Sequence, residues 1–563
     1  MPTAVLSAER LRALLPVPIS DSALDDLLFA SKAELEERTG DELHLSVTPD
    51  RLDLLTEGGL ALCLGGASEG ATGLLQPAER PGAGDLTAEV DPAVVPLRPY
   101  FAAMVVRAPG PEGLDEGTLA EAVRFQELLH ATVGRDRRLA SLGIYPLERL
   151  TPPVRYSLEP MDHVRFVPLD REEEVTADRF YAEHPMAAQY GSFGRAGDRC
   201  LTLADSHGSV LSLPPVLNSR AAGEARAGDR ELLLESTGQA ERAVREALGL
   251  LQVVFVARGW SVTPVPVRGP DGARSDGRGL FSPRSVDLQS AVLRAISGEA
   301  LSSGDVEHRL AMSRLSGRPH AGGWRVAVPP WRPDLMTGVD VAEDVVLIGG
   351  VRPEQGLLLP SATRGRRRPE TRFRNRARRL LLGYGLAQPY TPLLLGEAVV
   401  TLARSSSAVR LHNPVSSEFS YLRDRLLLSH LEVLGRNTRH GYPQRFAEVG
   451  PVVLRADAAE SGAETRYHAA AMLAGEGTGF ADGAALVDYL LRSWDMSSVR
   501  EPAELPATIP GRGARVRVAG ETVAEVGELD PAVLTALGVP VPATWAELDL
   551  SALWVLARRH ETH

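Results

Sequence analysis

Apolar positions recur at helical spacing in SAERLRALL and SDSALDDLLFA, each opened by a serine suited to cap a first turn. ELHLSVTP alternates apolar and polar residues like a strand and stops at Pro49. LLTEGGLALCLGG then reads as a short helix ending on glycines. Residues 76–95 are rich in Pro, Gly and Ala and read as a linker. Beyond Arg98 come a strand pattern, YFAAMVVRA, and a helix, GTLAEAVRFQELLHATVG, ending at Gly134. Short strands follow in RLASLGIY, RCLTLAD, GSVLSLPPV and RELLLEST, and a helix, QAERAVREALGLLQVVFVARG, closes the block. Strands and helices segregated in this way predict an α+β domain.

Residues 268–285 (RGPDGARSDGRGLFSPRS) read as a second flexible joint. Residues 286–352 predict two short helices and a strand pair, ending in DVAEDVVLIGG. Residues 361–379 are arginine-rich. From 380 to 563 helices mix with antiparallel-looking strands: AVRLHNP, RFAEVGPVVL, RGARVRVAG, ETVAEVGEL and ATWAELDL. The sequence shows no internal repeat.

The chain has 563 residues, enough for three to five domains at about 100–200 residues each. Its net charge of −12 argues against wrapping nucleic acid nonspecifically, so any such contact is local or borrows charge from a partner. Of its 61 basic residues only Lys32 is a lysine, which excludes Schiff-base chemistry or a lysine phosphate loop elsewhere. The two cysteines, Cys63 and Cys200, form no CxxC and cannot build a zinc cluster alone. Low cysteine content, no basic-then-apolar leader and no apolar run of about 18 residues predict a soluble, cytoplasmic protein without membrane contact.

Several strings, in order, resemble the phenylalanyl-tRNA synthetase β-subunit family of the archaeal and eukaryotic type. VTPDRLDLLTEGGLA (47–61) is similar to its N-terminal signature, with Asp50 and Leu52 where the family usually has Asn and Pro. FQELLHATVGRDRRLASLGIYPLE (125–148) and VLSLPPVLNS (210–219) resemble its editing module. VPPWRPDLMTGVDVAEDVVLIGG (328–350) resembles the end of a helix-turn-helix-like module. LHNPVSSEFSYLRDRLLLSHLEVLGRN (411–437), PQRFAEVGPVV (443–453), PGRGARVRVAG (510–520) and EVGELDPAVL (525–534) resemble a catalytic-like module. The shorter form is favoured because no OB-fold is inserted after residue 75.

The resemblance implies a multidomain α+β chain. Its modules would be an N-terminal α/β module (1–75), an editing domain (90–267), a helix-turn-helix-like module (286–355) and a class II synthetase catalytic-like antiparallel sheet domain (364–563). The last would lack ATP motifs, since LRDRLLL and EVGELDP stand in place of the Arg-x-Glu pair and the glycine-rich strand. A separate α subunit would carry adenylation in an (αβ)₂ heterotetramer. Together they would charge tRNA(Phe) with phenylalanine, while this chain hydrolyses mischarged Tyr-tRNA(Phe). Carried over by motif, the editing pocket is Leu203, Ser212, Asn218, Glu235 and Thr237, with Glu235 where the family usually has Asp. The residues alone also allow Ser212 and Thr237 to be ordinary strand-surface hydrogen-bonders.

The resemblance likewise implies Mg²⁺ ligands at Asp334, Asp340, Glu343 and Asp344, shared with the α subunit. Helical spacing puts Glu343 and Asp344 on one side with Asp340, and hard oxygens suit Mg²⁺. The same carboxylates also suit a solvated acidic helix start. RGRRRPETRFRNRARR (364–379) reads as an RNA contact or as a solvated face with ion pairs to a partner chain. His130 beside Arg135, Arg137 and Arg138 reads as a tRNA-end contact or as a residue favoured at a helix C-terminus. Two other functions remain open at this level: a diverged paralogue serving another amino acid or pathway, and a noncatalytic nucleic-acid-binding scaffold.

Overall fold

The computed structural model describes residues 2–79, 86–350, 364–459 and 461–561. Several expectations therefore lie partly outside the described residues: the 76–95 linker at 80–85, the end of the 286–355 module, the start of the arginine-rich stretch 361–379, and positions 460, 562 and 563 of the 364–563 domain. The chain divides into two compact units, residues 1–357 and 358–563.

In the first unit an antiparallel three-stranded sheet runs in the order Thr3–Ser7, Glu42–Val47, Ala33–Thr39. The helices Ala8–Leu14 and Asp21–Ala30 do begin on serine caps, with Ser7 and Ser20 accepting from first-turn amides. Next comes a four-stranded sheet ordered Ser261–Pro264, Tyr100–Arg107, Glu231–Gly238, Ala140–Pro146. Alternation gives it two apolar faces. Met104, Val106, Leu142, Leu232 and Leu234 share a core with the helices Glu116–Ala131 and Glu241–Leu251. Ala103, Val105, Tyr145 and Leu233 face a second sheet, packing on Val154, Tyr156, Leu201, Leu203 and Leu211. Glu235 has the parity of Leu233, so it is driven between the two sheets.

The second sheet runs in the order Leu217–Asn218, Val210–Leu213, Arg199–Ala204, Val154–Pro160, Ala88–Val90, Val267–Arg268, Arg274–Ser275. The two expected joints are thus partly structured. Ala88 and Val90 are buried in a strand, and 267–275 is a short hairpin.

Residues 284–348 form a module with its own core around Leu288, Leu310, Trp324, Val326 and Val345. Its sheet has three strands, ordered Arg284–Gln289, Gly323–Val328, Ser316–His320, where a pair was predicted. The third, SGRPH, is a mostly exposed edge strand without apolar alternation, so periodicity does not reveal it. Three helices accompany the sheet: Ser290–Ser297, Ser303–Met312 and Gly338–Ile348.

The second unit is built on a six-stranded antiparallel sheet ordered Gln444–Arg455, Ala463–Ala474, Ala543–Asp549, Glu521–Leu529, Thr508–Val518, Val499–Pro502. One face (Ala447, Val449, Ala471, Leu473) shares a core with residues of the helices Pro369–Gly383, Phe480–Arg492 and Leu550–Glu561. The other (Phe446, Met472, Trp545) shares one with Leu427 and Leu431 of the helix Leu426–Arg436. Among the described residues no helix is long and apolar enough to cross a membrane.

Candidate functional site

Between the four-stranded sheet and the sheet that carries Ser212 lies a cavity of about 290 Å³. Ser212, Asn218 and Glu235 line it together with Tyr145, His130 and Arg137. Strand register explains the meeting. Ser212 stands opposite Leu203 on one side and Asn218 on the other, and Glu235 stands opposite Gly143.

Tyr145 is central and fully buried. Its hydroxyl donates to Glu235 Oε1 at 2.9 Å and lies 2.9 Å from Ser212 Oγ. Gly143, two residues earlier on the same face, makes room for it: a Cβ there would fall 2.0 Å from the Tyr145 hydroxyl. Tyr145 stands in the string RRLASLGIYPLE, where nothing local marks a strand tyrosine as a site residue.

Glu235 is 2% exposed. Burial pushes its carboxyl up to about 7, against the opposing pull of the Tyr145 hydrogen bond and the Arg98 charge. Its Oε2 is buried and accepts no hydrogen bond among the described residues. Burial also raises the Tyr145 phenol far above its ordinary value, so it stays protonated as a donor.

The other two predicted pocket residues are buried outside the cavity wall. Leu203 lies in the apolar core between the sheets. Thr237 Oγ1 lies 3.1 Å from Ser141 Oγ, and its carbonyl accepts from the buried Arg98 guanidinium at 2.6 Å. Asn218 Nδ2 donates to the Gly223 carbonyl at 3.3 Å.

His130 lines the cavity with both ring nitrogens engaged. The Leu142 amide donates to Nε2 at 2.8 Å, and Nδ1 lies 3.2 Å from Glu127. Burial lowers its pKa, so the ring is neutral near pH 7. Arg137 is buried and grips Glu127 through two bonds of 2.9 and 2.8 Å. It also donates to the carbonyls of Pro215 and Val216 at 3.2 and 3.0 Å, fixing the cavity wall. Arg135, Asp136 and Arg137 all have positive φ (47°, 54° and 62°), a run that sets the Arg137 guanidinium inward while Arg135 and Arg138 stay exposed.

The acidic run is divided rather than gathered. Arg332 holds Asp334 through Nε at 3.0 Å and Nη2 at 2.7 Å, and reaches Asp344 at 2.7 Å. Burial would push the Asp334 carboxyl up, but Arg332 and Arg51 more than reverse this. Asp340 Oδ2 accepts from the amides of Met336 and Thr337 at 2.9 and 2.7 Å, closing a capping box on the helix Gly338–Ile348. Glu343 is half-exposed and accepts from Lys32 Nζ at 2.7 Å. Mg²⁺ requires near-octahedral oxygens converging at about 2.0–2.1 Å. Here Arg332, Lys32 and a helix N-terminus take those oxygens, so the predicted set of Asp334, Asp340, Glu343 and Asp344 does not fit the ion. Among the described residues no group of three or more His, Cys, Asp or Glu is arranged to hold a metal.

In the second unit, charged residues of LRDRLLL and EVGELDP pair with their neighbours. Buried Arg423 donates to Glu448 at 3.2 Å, to Ser429 at 3.0 Å and to the Pro451 carbonyl at 2.9 Å. Arg425 pairs with Glu525 at 3.3 Å and with Asp424 at 3.4 Å. Glu547 accepts from the amides of Leu426 and Leu427 and lies 2.7 Å from His468 Nδ1. Of the arginine run, Arg374 stacks on Tyr467 at 3.7 Å and Arg378 donates to the Val449 carbonyl at 3.0 Å. Arg364, Arg366, Arg367, Arg368, Arg372 and Arg379 are exposed.

Comparison with known proteins gives a consistent answer. The family model described as "tRNA synthetase B5 domain" matches residues 286–351, and "Phenylalanyl tRNA synthetase beta chain CLM domain" matches 357–550. The phenylalanine–tRNA ligase β subunit of Korarchaeum cryptofilum is 31% identical over 94% of this chain and 95% of its own length. That of Thermococcus gammatolerans is 29% identical over 98% of this chain and 99% of its own length. An N-terminal fragment of the Pyrococcus horikoshii phenylalanyl-tRNA synthetase β subunit is 26% identical, covers 62% of this chain and all of that one, and superposes with a TM-score of 0.56. The mixed α+β fold is thus that of an aminoacyl-tRNA synthetase subunit. Within that class, the chain belongs to the phenylalanine–tRNA ligase β-subunit family.

Proposed function

We propose that this chain joins a separate α subunit in a cytoplasmic (αβ)₂ assembly, supports ATP-dependent charging of tRNA(Phe) with phenylalanine, and hydrolyses mischarged Tyr-tRNA(Phe) between the four-stranded sheet and the sheet that carries Ser212. The observation that carries the editing reading is the buried, unpartnered Oε2 of Glu235 in the cavity. Phenylalanine and tyrosine differ by one hydroxyl, and an apolar pocket distinguishes such a pair by only about 10². A buried acceptor supplies the missing selectivity: a tyrosyl phenol pairs with it, while a phenylalanyl ring leaves it unpaired. Tyr145, backed by Ser212, holds the carboxyl in place, and Asn218 and Arg137 line the cavity wall. No Ser-His-Asp set accompanies them among the described residues, and His130 is fully engaged. Hydrolysis accordingly uses a positioned water and a hydroxyl of the tRNA end.

Adenylation is assigned to the α subunit. In support, Arg423 pairs with Glu448 and Arg425 with Glu525, while Glu547 is held by the Leu426 and Leu427 amides and by His468. The modules are assigned as 1–75, 90–267, 286–355 and 364–563, with the exposed arginines from Arg364 to Arg379 available to tRNA phosphates. The test is deacylation of Tyr-tRNA(Phe) by the assembly, comparing the wild type with Glu235→Ala. A loss of about 10-fold or more is expected, as for removal of a single recognition group; equal rates would remove Glu235 from the site. Purified β alone should show no phenylalanine-dependent ATP–pyrophosphate exchange.

A second reading, a paralogue for a different amino acid, is favoured by one observation. The hydroxyl of Tyr145 already occupies one oxygen of Glu235. Amino-acid preference in aminoacylation by the pair separates the two readings.

A further inference from the structure

The chain's single lysine lies in the carboxylate cluster where the predicted metal does not fit. Lys32 follows the helix Asp21–Ala30 and adopts φ 65°, a left-handed conformation that glycine takes at no cost and a lysine takes only under compulsion. Its side chain is 8% exposed. The ammonium lies 2.7 Å from Glu343 Oε2, 3.1 Å from Asp50 Oδ2 and 3.9 Å from Asp344 Oδ1. Asp50, from the N-terminal string VTPDRLDLL, sets a second carboxylate directly beside the ammonium. A lysine is a compact point charge with three donors and no acceptor. Among carboxylates it supplies the neutralisation a hydrated divalent ion would supply, without coordination geometry. It also ties residue 32 to residue 343 across 311 positions of chain.

We propose that Lys32 is the resident cation of this cluster, taking the place of a divalent metal ion, so that the contact between the N-terminal sheet region and the helix Gly338–Ile348 is independent of Mg²⁺. The proposal rests on family membership and this geometry, not on the editing or charging roles.

The experiment uses the full-length chain with Mn²⁺ as a paramagnetic probe for a Mg²⁺ site, alongside thermal unfolding with EDTA or with excess Mg²⁺. The wild type should take up no Mn²⁺ that depends on Glu343, and its unfolding midpoint should not respond to EDTA. Lys32→Gln, which keeps the stem and removes the charge, should gain about one divalent ion per chain and a midpoint that rises with Mg²⁺. Lys32→Gly, which also relieves the left-handed strain, should behave likewise and guards against a packing artefact of glutamine. Two results would overturn the proposal. One is Mn²⁺ bound by the wild type and lost in Glu343→Gln. The other is Lys32→Gln and Lys32→Gly chains that take up no more Mn²⁺ than the wild type.

Discussion

The Tyr145 hydroxyl bridges two sheets, donating to Glu235 Oε1 and lying against Ser212 Oγ, both at 2.9 Å. Tyr145→Phe removes the bridge and leaves a buried carboxyl with one partner fewer. We expect a stability loss of about 1–2 kcal/mol. The hydrogen bond favours ionised Glu235, so its loss should also move the group's titration upward. Thermal unfolding and the pH profile of Tyr-tRNA deacylation read the two effects; an unmoved profile would show that the bridge does not tune Glu235.

Glu235 gives the chain a pH signature. Its pKa is raised from 4.5 to about 7, so the folded chain holds this proton more tightly than the unfolded chain. The contribution is therefore complete below pH 4.5 and is lost as pH rises toward 7, by roughly 3 kcal/mol at most. Glu235→Gln carries no such titration. The variant should gain on the wild type between those limits and hold its advantage above them. Parallel stability–pH curves would refute this assignment.

Arg137 ties Glu127 to the wall carbonyls of Pro215 and Val216. Arg137→Ala should cost about 2 kcal/mol, the scale for breaking a buried hydrogen-bonded network. It should also raise hydrogen exchange around residues 214–217. Protection unchanged there would mean the wall is held by packing alone.

Arg332 is the shared partner of two buried carboxylates, Asp334 and Asp344. Arg332→Met removes the hydrogen-bonded partner of both carboxylates, leaving only the more distant Arg51 and Lys32 charges, and should destabilise by about 3 kcal/mol. Combining it with Asp334→Asn and Asp344→Asn should recover much of that loss, because the uncompensated charges go as well. A triple variant as unstable as the single one would assign the cost to lost packing.

Much of the fold was legible because backbone geometry is local. Ser7 and Ser20 cap the helices their positions predicted. The strand RELLLEST emerged with its two faces sorted by parity. The strand Ala463–Ala474 was not legible. Its alanine run favours a helix by propensity, yet strands on both sides pair with it and override that preference. The candidate pocket divided in the same way. Ser212, Asn218 and Glu235 converge, while Leu203 and Thr237 pack beside the cavity and not in its wall.

The sequence by itself determined which residues face inward, where helices begin, and that the chain resembles the β-subunit family, since periodicity and ordered motifs are properties of the chain alone. Only the tertiary structure decided which inward groups meet. Tyr145 reaches Ser212 across 67 positions and Glu235 across 90, and Lys32 reaches Glu343 across 311. Such pairings depend on how sheets stack and modules dock. No local period encodes that, and for this reason four carboxylates that resemble one ion's ligands are instead shared among an arginine, a lysine and a helix N-terminus.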